Sequence, residues 1–244
     1  MTSLVSGKIL DEELLPHHVA IIPDGNRRWA EAHGKAPWEG HEVGAQMTEK
    51  IVREARRFGV RELSFWGSSL ENLEKRPLKE KQELLRIYAT YFEKLITEEE
   101  LHRDRAKVRF IGRWEEQFPE SLKAILHRVL DATADYDQYF LNFFLAYSGD
   151  DDMLQAMKHV AGEGLAPGMV TTDVLKKHLM TRDIPPVDLL IRTGGDPHLS
   201  AGFMMWETAN SQLSFPAVYY PDFTPEIFQK SLQEYADRER RFGK

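Results

Sequence analysis

The sequence predicts an α/β fold, a single domain built on a central, mostly parallel six-stranded sheet flanked by helices. Short apolar runs alternate along the chain with segments of helical period, the pattern of strands joined by crossover helices. The clearest run, Val19-Ala20-Ile21-Ile22, is apolar without alternation, as a strand covered on both faces requires. A chain of 244 residues with 42% apolar content is long enough for one large domain. Strands are expected near 18–23, 61–66, 107–112, 139–146, 187–192 and 216–220. Helices are expected near 41–58, 78–101, 117–131, 151–161, 171–179 and 224–238.

The first strand stops at Asp24-Gly25, a turn dipeptide. The second runs into Gly67-Ser68-Ser69, and Pro77 suits the first position of the helix that follows. Asp150-Asp151-Asp152 stands after Ser148-Gly149 where a helical pattern begins, so capping and dipole compensation explain it better than a metal cluster. Gly162 to Gly168 is a short loop, and no internal repeat occurs. Residues 1–16 are expected to form a loosely ordered N-terminal tail ahead of a domain spanning 17–244.

Composition narrows the function. With 39 acidic and 32 basic residues the net charge is −7, so no global field draws in nucleic acid or an anionic membrane. The absence of cysteine removes disulfides, thiolate zinc sites and cysteine nucleophiles together. The N-terminus lacks the basic start and apolar stretch of a signal peptide, and no run approaches the roughly 18 apolar residues of a spanning helix. A cytoplasmic protein is expected.

Ligands of open α/β sheets bind beyond the carboxyl ends of the strands, and three of those ends are polar here. The first is Asp24-Gly25-Asn26-Arg27-Arg28: a carboxylate that can hold a divalent cation, a glycine that lets a ligand approach the backbone, and two arginines that can grip phosphate oxygens. The second collects Ser68, Ser69, Asn72 and Arg76. The third places Arg192 directly after a buried strand, followed by Gly194-Gly195 and Ser200. Together they fit a metal-bound diphosphate. No Walker-type loop, G-x-G-x-x-G after the first strand, or G-x-S-x-G elbow is present.

These segments resemble the cis-prenyltransferase family of the undecaprenyl diphosphate synthase type, from about His18 to Gly243. The motifs are His18 through Asp24-Gly25-Asn26 to Arg28-Trp29, Gly40-His41 with Gly44-Ala45, Ser68-Ser69 with Glu71-Asn72 and Arg76-Pro77, and Leu141-Asn142 leading to Tyr147. Further on come Asp188-Leu189 through Ile191-Arg192-Thr193-Gly194-Gly195, then Trp206, Pro221-Asp222-Phe223, and Arg238-Glu239-Arg240-Arg241-Phe242-Gly243. The resemblance implies a homodimeric, Mg²⁺-dependent enzyme with a hydrophobic tunnel, joining isopentenyl diphosphate to an allylic diphosphate with a new cis double bond. It implies Asp24 as the Mg²⁺-linked carboxylate and Gly25, Asn26, Arg27, Arg28, Trp29 and His41 around the allylic diphosphate. Asn72 and Arg76 would lie close to the reacting carbon and its leaving group, Ser69 would bind substrate, and Arg192, His198 and Ser200 would hold the isopentenyl diphosphate. Arg241 would reach across the dimer. The proton lost in the reaction goes to Asp24 or to a diphosphate oxygen, and the lipid product implies peripheral membrane contact.

Departures from the family pattern bear on mechanism. Gln212 stands where a metal-binding glutamate is usual, and His198 where a second arginine would hold isopentenyl diphosphate. Pro37 replaces an arginine, Leu70 and a residue near Lys75 lengthen the second segment, and Leu73 replaces a tryptophan. Trp66, Phe144 and Leu145 occupy positions that are small in long-chain members, which predicts a filled tunnel and a short- or medium-chain product. Two other readings fit these departures: a non-catalytic regulatory subunit, and a prenyltransferase using a different acceptor.

Overall fold

In the computed structural model, which describes residues 3–5, 8–10 and 14–238, six strands form one wholly parallel sheet. Ahead of it, where a loose tail was expected, β1 (Ser3–Val5) and β2 (Lys8–Leu10) pair antiparallel with Ser3 opposite Leu10. The sheet comprises β3 (His18–Ile22), β4 (Glu62–Trp66), β5 (Ala106–Ile111), β6 (Tyr139–Phe144), β7 (Leu189–Arg192) and β8 (Gln212–Ser214), in the order β5-β6-β4-β3-β7-β8. From β3 the chain crosses to β4 on one side, and from β7 it crosses to β8 on the other. The β3/β7 junction is therefore the topological switch point, where a crevice opens beyond the strand ends. Ile22 lies beside Arg192 there.

The helices are α1 (Asn26–Ala32), α2 (Pro37–Arg57), α3 (Leu70–Lys75), α4 (Leu78–Leu95), α5 (Glu99–Arg103), α6 (Trp114–Gln117), α7 (Glu120–Ala132), α8 (Gly149–Gly162), α9 (Thr172–His178) and α10 (Pro225–Asp237). α2 starts earlier than expected because Pro37 opens it and the Glu39 carboxylate accepts the Ala36 N–H at 2.8 Å. The helix expected over 78–101 divides into α4 and α5. That expected over 117–131 divides at Phe118-Pro119 into α6 and α7, Pro119 being the residue before α7. No strand forms at 216–220. The Val218 carbonyl accepts the Gly194 N–H at 2.7 Å and the Tyr220 N–H donates to the Asp24 carbonyl at 3.0 Å, so this segment runs across the strand ends instead of alongside β7. The edge strand beside β7 is β8.

Each strand sends alternate side chains to opposite faces. Val19, Ile21, Leu63 and Phe65 pack with Met47 and Ile51 of α2 and with Phe228 and Leu232 of α10. On the other face Ala20, Ile22, Leu190 and Phe144 pack with Phe203. Burying a side chain such as Ile51 or Phe228 contributes roughly 1.5–3 kcal/mol. That second face also holds a polar chain across the sheet: His18 Nε2 lies 2.8 Å from Ser64 Oγ, and Asn142 donates to Ser64 at 3.0 Å and to Glu62 at 2.8 Å. Arg109 donates to Glu62 at 2.9 Å. Burial pushes the His18 pKa down to about 4, so the ring is neutral at pH 7. Asp152 accepts the Tyr147 hydroxyl at 3.0 Å and the Met180 N–H at 2.7 Å, a structural use of the acidic run.

Candidate active site

A cavity of about 670 Å³ starts at the carboxyl ends of β3, β4 and β7 and runs between α2 and α4 over β4 and β6. Its outer end is charged. Asp24, two residues beyond β3, accepts from Arg192 at 2.8 Å with one oxygen and pairs with Arg28 at 3.2 Å with the other. Thr193 Oγ1 and the Tyr220 N–H hold the Asp24 carbonyl at 2.7 and 3.0 Å, which fixes the backbone from which the carboxylate projects. Gly25 turns the chain into α1 with φ of 100°, and a Cβ there would stand 2.6 Å from Tyr219. α1 packs closely on α2 because Gly44 leaves room: a Cβ on it would lie 2.4 Å from Asn26 Oδ1. The Asn26 amide donates to the Pro23 carbonyl at 2.9 Å.

Beside this corner a second charged cluster centres on Glu80, a residue the sequence reasoning passed over. Glu80 is buried and accepts from Arg76 at 2.5 Å, with Arg27 at 3.6 Å and His41 at 3.9 Å. Arg76 also lies 3.0 Å from His41 Nε2. Burial, then the charges of Arg76 and Arg27, push the His41 pKa down to about 3. The ring is therefore a neutral acceptor for Arg76, not a cation for a phosphate. What could have revealed Glu80 is its place in the first turn of the helix that Pro77 opens, close in sequence to Arg76.

The third polar strand end contributes Arg192 and Ser200 to the cavity. Arg192 is buried, donates to the His198 carbonyl at 2.6 Å, and keeps its Nε without a partner among the described residues. Asn26 Oδ1 is likewise buried and unpartnered there. Buried polar atoms seldom stay unsatisfied, so these two mark where a polar ligand belongs.

Most of the expected site residues converge: Asp24, Gly25, Asn26, Arg27, Arg28, His41, Ser69, Asn72, Arg76, Arg192 and Ser200 all line the cavity. Ser69 also caps α3, its hydroxyl accepting the Asn72 N–H at 3.0 Å. Other residues need correction. Trp29 is buried away from the cavity, donating its indole N–H to Asp222 at 2.9 Å and stacking on His33. His198 is exposed, its ring paired with Asp196 at 3.2 Å, and only its carbonyl serves the site. Gln212 pairs with Leu189 in register, three residues before Arg192 and so roughly 10 Å down the strand from the site. Its amide oxygen faces Arg238 at 3.4 Å. Arg241 lies outside the described residues.

The middle of the cavity is apolar, a tunnel walled by Val52 and Ala55 of α2, Leu84, Tyr88 and Phe92 of α4, and Phe65 and Phe143 of the sheet, and its far end is rimmed by Arg53, Arg56, Lys94 and Glu98. Phe144 and Leu145 do not line it. Strand alternation turns Phe143 toward the tunnel and Phe144 to the other face, and Leu145 is buried beside α7. Trp66 sits on the Phe144 face as well, but at the strand end it reaches the cavity.

No group of three or more His, Cys, Asp or Glu residues among the described residues could hold a metal ion. Asp24 offers one accessible carboxylate at the charged end of the cavity, and Mg²⁺ binds readily through one or two carboxylates completed by water and substrate phosphate. The donor set fits that mode.

A parallel sheet whose switch point presents a carboxylate and arginines, opening into an apolar tunnel, defines a protein that handles a diphosphate carrying a hydrocarbon tail. The chain belongs to the undecaprenyl diphosphate synthase family, whose Prenyltransf model matches residues 22–243. It is 36% identical over 235 residues to the tritrans,polycis-undecaprenyl-diphosphate synthase (geranylgeranyl-diphosphate specific) of Pyrococcus horikoshii, covering 95% of this chain and 88% of that one. It is 34% identical over 238 residues to the isoprenyl transferase of Thermus thermophilus, covering 94% and 89%. Among solved structures, lavandulyl diphosphate synthase from Lavandula x intermedia in complex with dimethylallyl diphosphate matches with a TM-score of 0.87 at 29% identity, covering 95% of this chain and all of that one. The chain is thus a prenyl-transferring enzyme of the cis-prenyl diphosphate synthase type.

Proposed function

We propose that this chain condenses an allylic prenyl diphosphate with isopentenyl diphosphate in the cis configuration, giving a short- or medium-chain polyprenyl diphosphate. In this reading residues 17–244 form one catalytic domain that works in the cytoplasm as a Mg²⁺-dependent homodimer. The observation that carries it is the continuity of one cavity from the Asp24–Arg28–Arg192 corner to the apolar tunnel. A diphosphate and its hydrocarbon tail need both ends at once. Apolar side chains left exposed on α8, Leu154 and Met157, are consistent with a second copy.

In the mechanism, Arg27, Arg28 and Arg76 with the α1 entry at Gly25-Asn26 bind the allylic diphosphate, and the tail enters the tunnel. Asp24 would hold Mg²⁺, which when bound neutralises diphosphate charge as the leaving group departs. Asn72 borders the reacting carbon. Arg192 and Ser200 bind the isopentenyl diphosphate so that its double bond attacks the allylic carbon as the carbon–oxygen bond breaks. In this reading a diphosphate oxygen takes the proton lost from the new cation.

The test supplies labelled isopentenyl diphosphate with allylic diphosphates of increasing length, with Mg²⁺ or with chelator, and resolves the products by length and double-bond geometry. Chelator-sensitive cis products of few units support the reading. A product of ten or more units overturns the chain-length part, and no incorporation overturns the whole. A second reading has its own support: the His198 ring is turned away from the cavity, so it adds no cation beside Arg192. Prenyl transfer to a second allylic diphosphate as acceptor would then appear as product formed from the allylic diphosphate alone.

A further inference from the structure

Trp66 is expected to take up tunnel volume, yet its contacts lead elsewhere. Its ring stacks on Phe203 at 5.2 Å between centroids and 12° between planes, and its indole N–H donates to the Tyr147 carbonyl at 3.1 Å. Phe203 lies three residues after Ser200, and its N–H closes a turn onto the Ser200 carbonyl at 3.0 Å. It is fully buried, also meeting Phe144 edge-on at 5.1 Å. The stretch between Gly195 and Leu199, by contrast, is exposed, and little holds it besides the Arg192 bond to the His198 carbonyl. Two non-glycine residues flanking Phe203, Ala201 at φ 44° and Met204 at φ 48°, adopt the left-handed conformation. Such residues persist only where surrounding packing dictates the backbone. Here that packing is the Phe203 ring on Trp66, together with the Gly149 N–H bonded to the Ala201 carbonyl at 2.9 Å.

We infer that Trp66 is a positioning residue for the second diphosphate site: by clamping Phe203 it sets where Ser200 stands relative to Arg192. The inference rests on the proposed function for the identity of the substrate held there, isopentenyl diphosphate. Trp66 touches the cavity wall but acts on the phosphate through Phe203. Its removal therefore weakens one substrate and leaves the other.

The test compares Trp66→Leu, Trp66→Phe and Phe203→Leu in the intact enzyme. Trp66→Leu and Phe203→Leu are expected to raise KM for isopentenyl diphosphate about tenfold, with the allylic KM within about twofold. Trp66→Phe, which keeps a ring to stack, is expected to recover most of the loss with product length unchanged. Longer products from Trp66→Leu at an unchanged isopentenyl diphosphate KM would overturn the inference and leave Trp66 a tunnel wall. If Phe203→Leu does not fold, the two Trp66 variants decide alone. If the parent enzyme does not consume isopentenyl diphosphate, the proposed function fails separately, and calorimetric titration with inorganic diphosphate still judges the clamp. Weaker binding in Trp66→Leu supports it, and equal affinity in parent and variant overturns it.

Discussion

The two polar corners of the cavity are built in opposite ways. The first, at the start of α1 and α4, is organised around a buried carboxylate: Glu80 gathers Arg76, Arg27 and His41 before any substrate arrives. The second, after β7, is a loop exposed over residues 195–199, with one buried arginine and an anchor at Phe203. A buried carboxylate fixes cations by charge and hydrogen bonds together, whereas the loop depends on packing at a distance from its polar residues. The difference teaches that binding in the first corner should respond to changes of charge, and binding in the second to changes of shape.

The largest effect should come from the residue joining the two corners. Asp24→Ala removes the shared partner of Arg28 and Arg192 and the one carboxylate suited to Mg²⁺, so kcat should fall by about 10³-fold or more. A single-turnover assay showing less than a tenfold loss would break this account.

Acid comes next. The His18 and His41 pKa values, about 4 and about 3, lie below the usual 6.5 of the unfolded chain. Between pH 6.5 and 4 the unfolded chain binds protons that the folded chain refuses. Stability is complete above that window and lost as pH falls through it, by roughly 3 kcal/mol for His18. The raised carboxyls of Glu62, Asp152 and Glu207 act in the opposite sense. His18→Asn and His41→Asn should therefore each flatten the acid limb of melting temperature against pH, and an unchanged limb would contradict the assignment.

Smaller effects sharpen the contrast. Glu80→Ala frees three groups at once and should raise KM for the allylic diphosphate about thirtyfold while leaving isopentenyl diphosphate within about twofold. Equal losses for both substrates would show that the corners are not separate. Gly44→Ala drives a methyl group against Asn26 Oδ1 and should cost about 1–3 kcal/mol in urea unfolding. His198→Ala should change either KM by less than about twofold, because the ring is exposed and paired only with Asp196. A larger effect would place the ring on the substrate after all.

Much of this was legible in the chain. Val19 to Ile22, short, rich in β-branched residues and closed by Pro23-Asp24-Gly25, reads as a buried strand, and the polar groups clustered after three such strands pointed to the cavity. Side-chain direction was harder. Phe144 and Leu145 look like tunnel residues by position, but the face each presents depends on register with β4 and β5, which no single strand reveals. Val218-Tyr219-Tyr220 has the composition of a strand, and only the free polar groups beyond β3 and β7 explain why its backbone spends its hydrogen bonds there. Gln212 resembles a site residue in sequence, yet its partner in the sheet is Leu189 and not the end of β7.

The divergence of the chain at β3 and β7 has an engineering consequence. In the proposed reading most polar groups for one substrate come from residues 24–80 and most for the other from residues 192–220, and the two stretches meet through Asp24 with Arg192, Arg28 with Gly194 and Trp66 with Phe203. On that reading donor and acceptor selectivity draw mainly on different stretches of the gene, with Trp66 the link between them. Exchanging the 192–220 stretch for that of a relative should transplant one substrate's selectivity and leave the other's in place.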